Sequence, residues 1–364
     1  MFYSCGPAPS AGRVRKVPSA KKGFCIDMHC HLHNPAVEAL VAPVFAVERE
    51  PGIRFQNPQS REVNRLQGER VRAQIMPDVI ERRLKDMDLM GVDVQAISTA
   101  PFHLNYWLEP ELALKASRLV NDTIAEVVNQ HPDRFVGLGH VPLQSEDLAV
   151  EMLVRGVKEL GFRGVEIGTN VAGKEVSRGL DRFWAKVQEL DVVVFMHPNG
   201  FTGGERLSDH YFNNVIGNPL DTTVALGHLV FDGILEKFPK LKILSAHGGG
   251  YISHYPARMD HVFAARADGH AVLKRRPRSS LAKVYFDTIV FDREQLRHLV
   301  NLWGADHIVV GTDYPYDMGS YDPHGLLDES KFLKKVDREA IKGGNAARLL
   351  KLSKKDLARM GRKQ

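Results

Sequence analysis

The chain contains no run of about 18 uninterrupted apolar residues, the length a membrane-spanning helix requires, and apolar stretches such as Val192 to Met196 are only as long as a β-strand. A transmembrane role is excluded and no membrane partner is expected. Cysteine is scarce: Cys5, Cys25 and Cys30 make an odd count without a CxxC pair, which argues against a disulfide framework and fits a reducing compartment. The N-terminus, MFYSCGPAPSAGRVRKVPSAKKG, lacks the apolar centre of a secretory signal. Its Pro, Gly, Ser and basic content reads as a flexible basic arm over residues 1–23, and a cytoplasmic protein is expected. No recognition helix or aromatic-basic platform accompanies the basic clusters, so nucleic acid is not an expected partner.

What is present is the balance of a folded enzyme: 364 residues, 43% hydrophobic and 26% charged, enough for a substantial core. The formal net charge of +5 matches the five cations of residues 1–22, a segment without acid, so the remainder is neutral on balance. Other cations gather at Lys274 to Arg278 and in a basic C-terminal tail, residues 351–364. Between the two ends, short β-branched runs alternate with amphipathic segments. The runs begin at Phe24, Val92, Phe135, Gly164, Val192, Lys242, Val284 and Ile308; the segments include Val79 to Met90, Glu111 to Asn129, Glu146 to Leu160 and Arg182 to Leu190. Eight such units predict an α/β fold, a (β/α)8 TIM-type barrel over residues 24–350. Two connections exceed what a barrel needs, from Asn34 to about Pro77 after strand 1 and from Gly200 to about Leu220 after strand 5. Both are expected over the C-terminal mouth, where barrel loops build active sites.

An HxH pair alone decides little, since 16 His in 364 positions give about 0.7 such pairs by chance. Position is more informative. Asp27, His29 and His31 alternate along the first strand and are expected to share its inward face, with Cys25 lower on that face and Cys30 turned outward. His197, His247 and Asp313 each end a later strand, so all converge on one mouth. Four imidazoles and a carboxylate at the axis suit a divalent metal of borderline softness.

The stretches IDMHCH, ERRLKDMDLMGVDVQAIST, RFVGLGHVPLQ, KELGFRGVEIGT, ILEKFPKLKILSAHGGG, IVVGTDYP and KGGNAARLL carry a resemblance. From about Phe24 to Leu350 the chain resembles the amidohydrolase superfamily, in the branch containing 2-amino-3-carboxymuconate 6-semialdehyde decarboxylase. The resemblance implies metal ligands at His29, His31, His197 and Asp313, with His247 close by as an acid/base residue; Asp313 is a second candidate for proton delivery. It implies that Arg258 serves a neighbouring subunit's site, hence a homodimer, and that a second substrate-binding arginine lies on the first long loop, Arg70 or Arg72. Where that branch has Trp and Asp after its HP pair, this chain has Asn199 and Gly200, so Asn199 is expected in an altered pocket. Binuclear members carry a carbamylated lysine on the fourth strand; here that strand reads GVEIGTN, with Glu166 and no Lys, which implies one divalent ion per chain, zinc first and manganese second.

The expected activity is metal-dependent, non-oxidative decarboxylation of a small unsaturated or aromatic carboxylic acid, of carboxymuconate semialdehyde or hydroxybenzoate type. Hydrolysis of an amide, ester or lactone, and hydration of a double bond, would use the same ligands and differ only in substrate placement. A metal-storing or regulatory protein without turnover is the reading from outside enzymology.

Overall fold

The computed structural model describes residues 23–72 and 77–361. Residues 1–22 of the basic arm, Cys5 among them, lie outside the described residues. Eight parallel strands hydrogen-bond in chain order: β1 (Ile26–Leu32), β2 (Val94–Thr99), β3 (Phe135–His140), β4 (Gly164–Ile167), β5 (Val193–Met196), β6 (Lys242–Ser245), β7 (Tyr285–Asp287) and β8 (Ile308–Val309). The chain after β8 returns to β1: Met28 N donates to Val310 O and His31 N to Tyr314 O, both at 2.8 Å, which closes the ring. The barrel expected from the eight β-branched runs is therefore present. Its strands are buried on both faces, as their nearly continuous apolar composition requires.

The helices include α1 (Pro35–Val41), α2 (Pro58–Arg72), α3 (Pro77–Met90), α4 (Pro110–Gln130), α5 (Glu146–Lys158), α6 (Asp181–Leu190), α7 (Asn218–Phe231), α8 (Ala257–Ala265) and α9 (Arg293–Trp303). Pro35 and Pro110 open their helices at a position whose N–H has no intrahelical partner. The Asp292 side chain caps α9 by accepting from Glu294 N and Gln295 N. Apolar faces such as Val120, Ile124 and Val127 of α4 join Ile97 of β2 in the shell between helices and barrel. A separate cluster fills the barrel itself, with Ile26, Met28, Val94, Ala96, Val193 and Phe195. No helix among the described residues is long and apolar enough to cross a membrane.

The first strand departs from strict alternation. Its register against β2 shifts between Asp27 and Cys30, so one extra residue is accommodated there. Ile26 and Met28 pack inside the barrel, whereas Cys25 and Cys30 both join the outer shell. Asp27 accepts from Gln95 Nε2 at 2.9 Å and Thr312 Oγ1 at 2.6 Å, while Gln95 Oε1 accepts from Arg83 of α3 at 2.7 Å. The shared inward face expected for Cys25, Asp27, His29 and His31 is thus corrected. The bulge turns His29 and His31 toward the axis and leaves Cys25 and Asp27 on the helix side. Cys25 and Cys30 are buried and not joined in a disulfide.

The basic segment after Leu350 forms α10 (Lys354–Arg359), capped reciprocally by Ser353 and Asp356. Leu350 and Met360 on either side of this helix pack onto the cluster inside the barrel, at the end remote from the mouth.

Candidate functional site

β1 brings His29 and His31 to the mouth, His197 follows the last residue of β5, His247 lies two residues past β6, and Asp313 lies just beyond β8. Asp313 Oδ1 sits 3.3 Å from His29 Nε2 and 3.3 Å from His31 Nε2. The ring of His197 is 4.9 Å from that of His29 and 4.7 Å from that of His31. One donor atom from each of His29, His31, His197 and Asp313 lies within 4.8 Å of every other. His29 Nε2, His31 Nε2, both ring nitrogens of His197 and Asp313 Oδ1 are buried without a hydrogen-bond partner among the described residues. Each such orphan costs about 1–3 kcal/mol. Three imidazole lone pairs and a carboxylate oxygen facing one point fit a divalent cation.

The surrounding residues fix how the ligands face. Asp287, at the end of β7, accepts from His29 Nδ1 at 2.6 Å, which leaves Nε2 directed at Asp313. It also accepts from the backbone N–H groups of His247 at 3.0 Å and Gly248 at 2.8 Å. His31 Nδ1 is held at 2.7 Å by Thr99 O. Such partners set the tautomer of a ligating imidazole. Burial opposes charge on His29, but Asp313 and Asp287 outweigh it and raise its pKa to about 10. Burial would raise Asp313, yet His29 and the other neighbouring imidazoles hold it well below the usual carboxylate range. Burial and the adjacent imidazoles press His197 downward, keeping its lone pairs available. An entering cation therefore replaces a proton already stabilised there.

His247 stands outside this set, its Nε2 3.9 Å from Asp313 Oδ2. It adopts a left-handed backbone, φ 54°, as does Asp313, φ 57°. For non-glycine residues this costs about 1–2 kcal/mol and is characteristic of functional sites. The run HGGG has a local reason: Gly248, Gly249 and Gly250 all have positive φ, and a Cβ on Gly250 would meet Pro219 O at 2.3 Å. Glu166 on β4 lies 3.9 Å from His31 Nδ1 and is pushed by burial up to about 7, but it does not belong to the ligand set.

Above the cluster opens a cavity of about 780 Å³, reached by His197, His247 and Asp313. Both long connections wall it, the first through residues from Val37 to Gly68 and the second through residues from Asn199 to Asn218. Asn199 lines the wall and donates through Nδ2 to Glu50 Oε1 at 2.5 Å. Glu50 also accepts from Trp107 Nε1 at 3.2 Å, and burial pushes its pKa up to about 7.

Residues 26–352 match the family described as Amidohydrolase. The chain belongs to the amidohydrolase family. Within it, the chain is 36% identical over 278 residues to the 2-amino-3-carboxymuconate-6-semialdehyde decarboxylase of Dictyostelium discoideum, covering 76% of this chain and 77% of that protein. It is 28% identical over 291 residues to the gamma-resorcylate decarboxylase of Polaromonas sp. (strain JS666 / ATCC BAA-500), covering 76% and 89%. The same fold is seen in a dihydroxybenzoic acid decarboxylase from Polaromonas sp. JS666, solved with manganese and the inhibitor 2-nitroresorcinol: the TM-score is 0.77 at 24% identity, covering 92% of this chain and 99% of that one.

This amidohydrolase chain brings together His29, His31, His197, Asp313, His247 and Asn199, and does not bring Arg258 to them. Arg258 lies on α8, exposed and away from the cavity wall of its own chain. The side chains of Arg70 and Arg72, at the end of α2, lie outside the described residues. Arg61 and Arg65, earlier on α2, do line the cavity. Asp287 and Glu50 are among the residues that escaped the sequence reading. Asp287 stood in the recognised strand run beginning at Val284, so its place at a strand end was the available signal. Glu50 sits in a long connection without periodicity, where spacing carries no information about facing.

Proposed function

We propose that this chain is a metal-dependent carboxy-lyase that decarboxylates a small unsaturated or aromatic carboxylic acid without oxidation. The 36% identity to a named decarboxylase across three quarters of both chains carries the choice of reaction; the convergence of His29, His31, His197 and Asp313 below the cavity supports its metal dependence. In this reading those four side chains hold one divalent ion per chain. Zinc suits three imidazoles and one carboxylate, with manganese the competing occupant.

When bound, the ion supplies Lewis-acid polarisation of a coordinated oxygen. The chain's own residues do the rest. Asp287 holds His29 in the ligating tautomer. His247, beside the ligand set and reaching the cavity, delivers a proton to the carbon that loses its carboxylate. The C–C bond breaks, its electron pair stays on that carbon, the proton arrives there, and carbon dioxide leaves. Asn199, fixed by Glu50, shapes the pocket wall. Arg258 of a second copy holds a substrate carboxylate through a two-pronged hydrogen bond, which makes a homodimer the functional unit. Arg70 or Arg72 is a further contact proposed for the first long connection.

The test is a screen of metal-replete protein against carboxylated muconates and hydroxybenzoates with detection of carbon dioxide. Carbon dioxide in step with substrate loss is expected. Turnover of amides, esters or lactones with none released would overturn the reading.

A further inference from the structure

His33 follows His31 at the same two-residue interval, just past the end of β1, but only His29 and His31 serve the cluster around Asp313. His33 instead meets residues from the next two elements. Its Nε2 lies 3.3 Å from Oε1 of Glu38, in the first turn of α1, and its ring centroid is 4.8 Å from that of His103, which ends the turn Pro101–His103 after β2.

We propose that His33, Glu38 and His103 form a second divalent-cation site, separate from the first and weaker. One donor atom from each of the three lies within 4.8 Å of the other two. Both imidazoles are fully or nearly fully buried, His33 at 0% and His103 at 2% exposure, and neither ring nitrogen of either makes a hydrogen bond among the described residues. Apart from the 3.3 Å approach of His33 Nε2 to Glu38, these ring nitrogens lack a hydrogen-bond partner among the described residues, which is unusual for an interior, where buried polar groups are paired. The sign of the missing partner follows from Glu38, whose carboxylate repels an anion and attracts a cation.

Two imidazoles and a carboxylate are a donor set that zinc accepts with a coordination position left open. Glu38, partly exposed, and His103 both line the large cavity, which provides the route of entry. An ion there presents positive charge to the space where an anionic substrate would lie. Three ligands, one of them solvent-accessible, hold an ion less firmly than the four buried donors of the first site.

The experiment counts metal. Metal-free protein is dialysed against a series of free zinc concentrations, and bound zinc is measured by mass spectrometry for wild type, His29→Ala, His103→Gln and Glu38→Gln. Wild type should take up two equivalents, the second at no less than tenfold higher free zinc. His103→Gln and Glu38→Gln should stop at one, and His29→Ala should keep the weaker site. Melting curves confirm that each variant folds, and Glu38→Gln, at a partly exposed position, decides the matter should His103→Gln fail to fold. A wild type that saturates at one equivalent, or a second equivalent that survives Glu38→Gln, overturns the proposal. No turnover is needed, so the result is independent of the reaction proposed above.

Discussion

His29 touches two carboxylates with opposite consequences: Asp313 shares with it the point where a cation fits, and Asp287 fixes which nitrogen faces that point. Removing the ring and removing its support should therefore differ in degree. His29→Ala is expected to lose the tightly held metal of the first site and turnover together, by elemental analysis and a carbon dioxide assay. Asp287→Asn keeps the shape but can present an N–H toward His29, and should weaken metal affinity by about 10–100-fold. His247→Ala should retain its metal while turnover falls by about 10²–10⁴-fold; a metal-free His247 variant would make that residue a ligand. Glu50 provides a measure of stability. Its folded pKa of about 7 is raised above the usual carboxylate value, so it binds more protons folded than unfolded. The associated stability is present below the unfolded pKa near 4.5 and is lost as pH rises through 7. Glu50→Gln should match wild type at pH 4.5 and exceed it by up to about 3 kcal/mol above pH 7, read from denaturant melts across that window.

At the level of elements, β1 carries two of the four candidate ligands, and its bulge shows where sequence reading stops. Alternation of polar and apolar residues reveals that a strand exists, and HxH shows two side chains on one face. It contains nothing to mark an inserted residue, because a shift of one exchanges inside for outside without altering composition. Hence His29 and His31 were legible as inward residues while Asp27 and Cys25 were not legible as outward ones. Glu38 and Glu50, in the long first connection, face the cavity through tertiary packing, which leaves no periodic trace. The turn after β8 is tight for a related reason: a Cβ on Gly311 would stand 2.9 Å from His29 Cβ and 3.0 Å from Asp287 Cβ. Gly311→Ala should push these two apart, costing about 1–3 kcal/mol of stability and loosening the metal, as seen in thermal melts with and without added zinc.

For the whole molecule, the eight-stranded ring was legible because each β-branched run ends in a polar or glycine residue and each intervening segment has helical spacing. Assembly beyond one chain is not written that way: Arg258 is an ordinary exposed helical residue, and the proposed role beside a second copy rests on the family resemblance alone. If it completes a second copy's site, Arg258→Ala and His247→Ala chains are each inactive alone. Mixed, half the dimers would combine the two, each with one intact site, so roughly a quarter of wild-type activity should return. A mixture as inactive as its parents, or full turnover by Arg258→Ala alone, would remove the shared site. The closure of the ring has a consequence for synthesis. The imidazoles of β1 leave the ribosome early, but the backbone groups that join Met28 and His31 to Val310 and Tyr314, the Asp313 carboxylate, and the Leu350 and Met360 side chains that plug the far end all emerge last. A nascent chain halted before β8 carries three of the four donors and no closed barrel to hold them, so the proposed metal site would form only after β8 and Asp313 have been made.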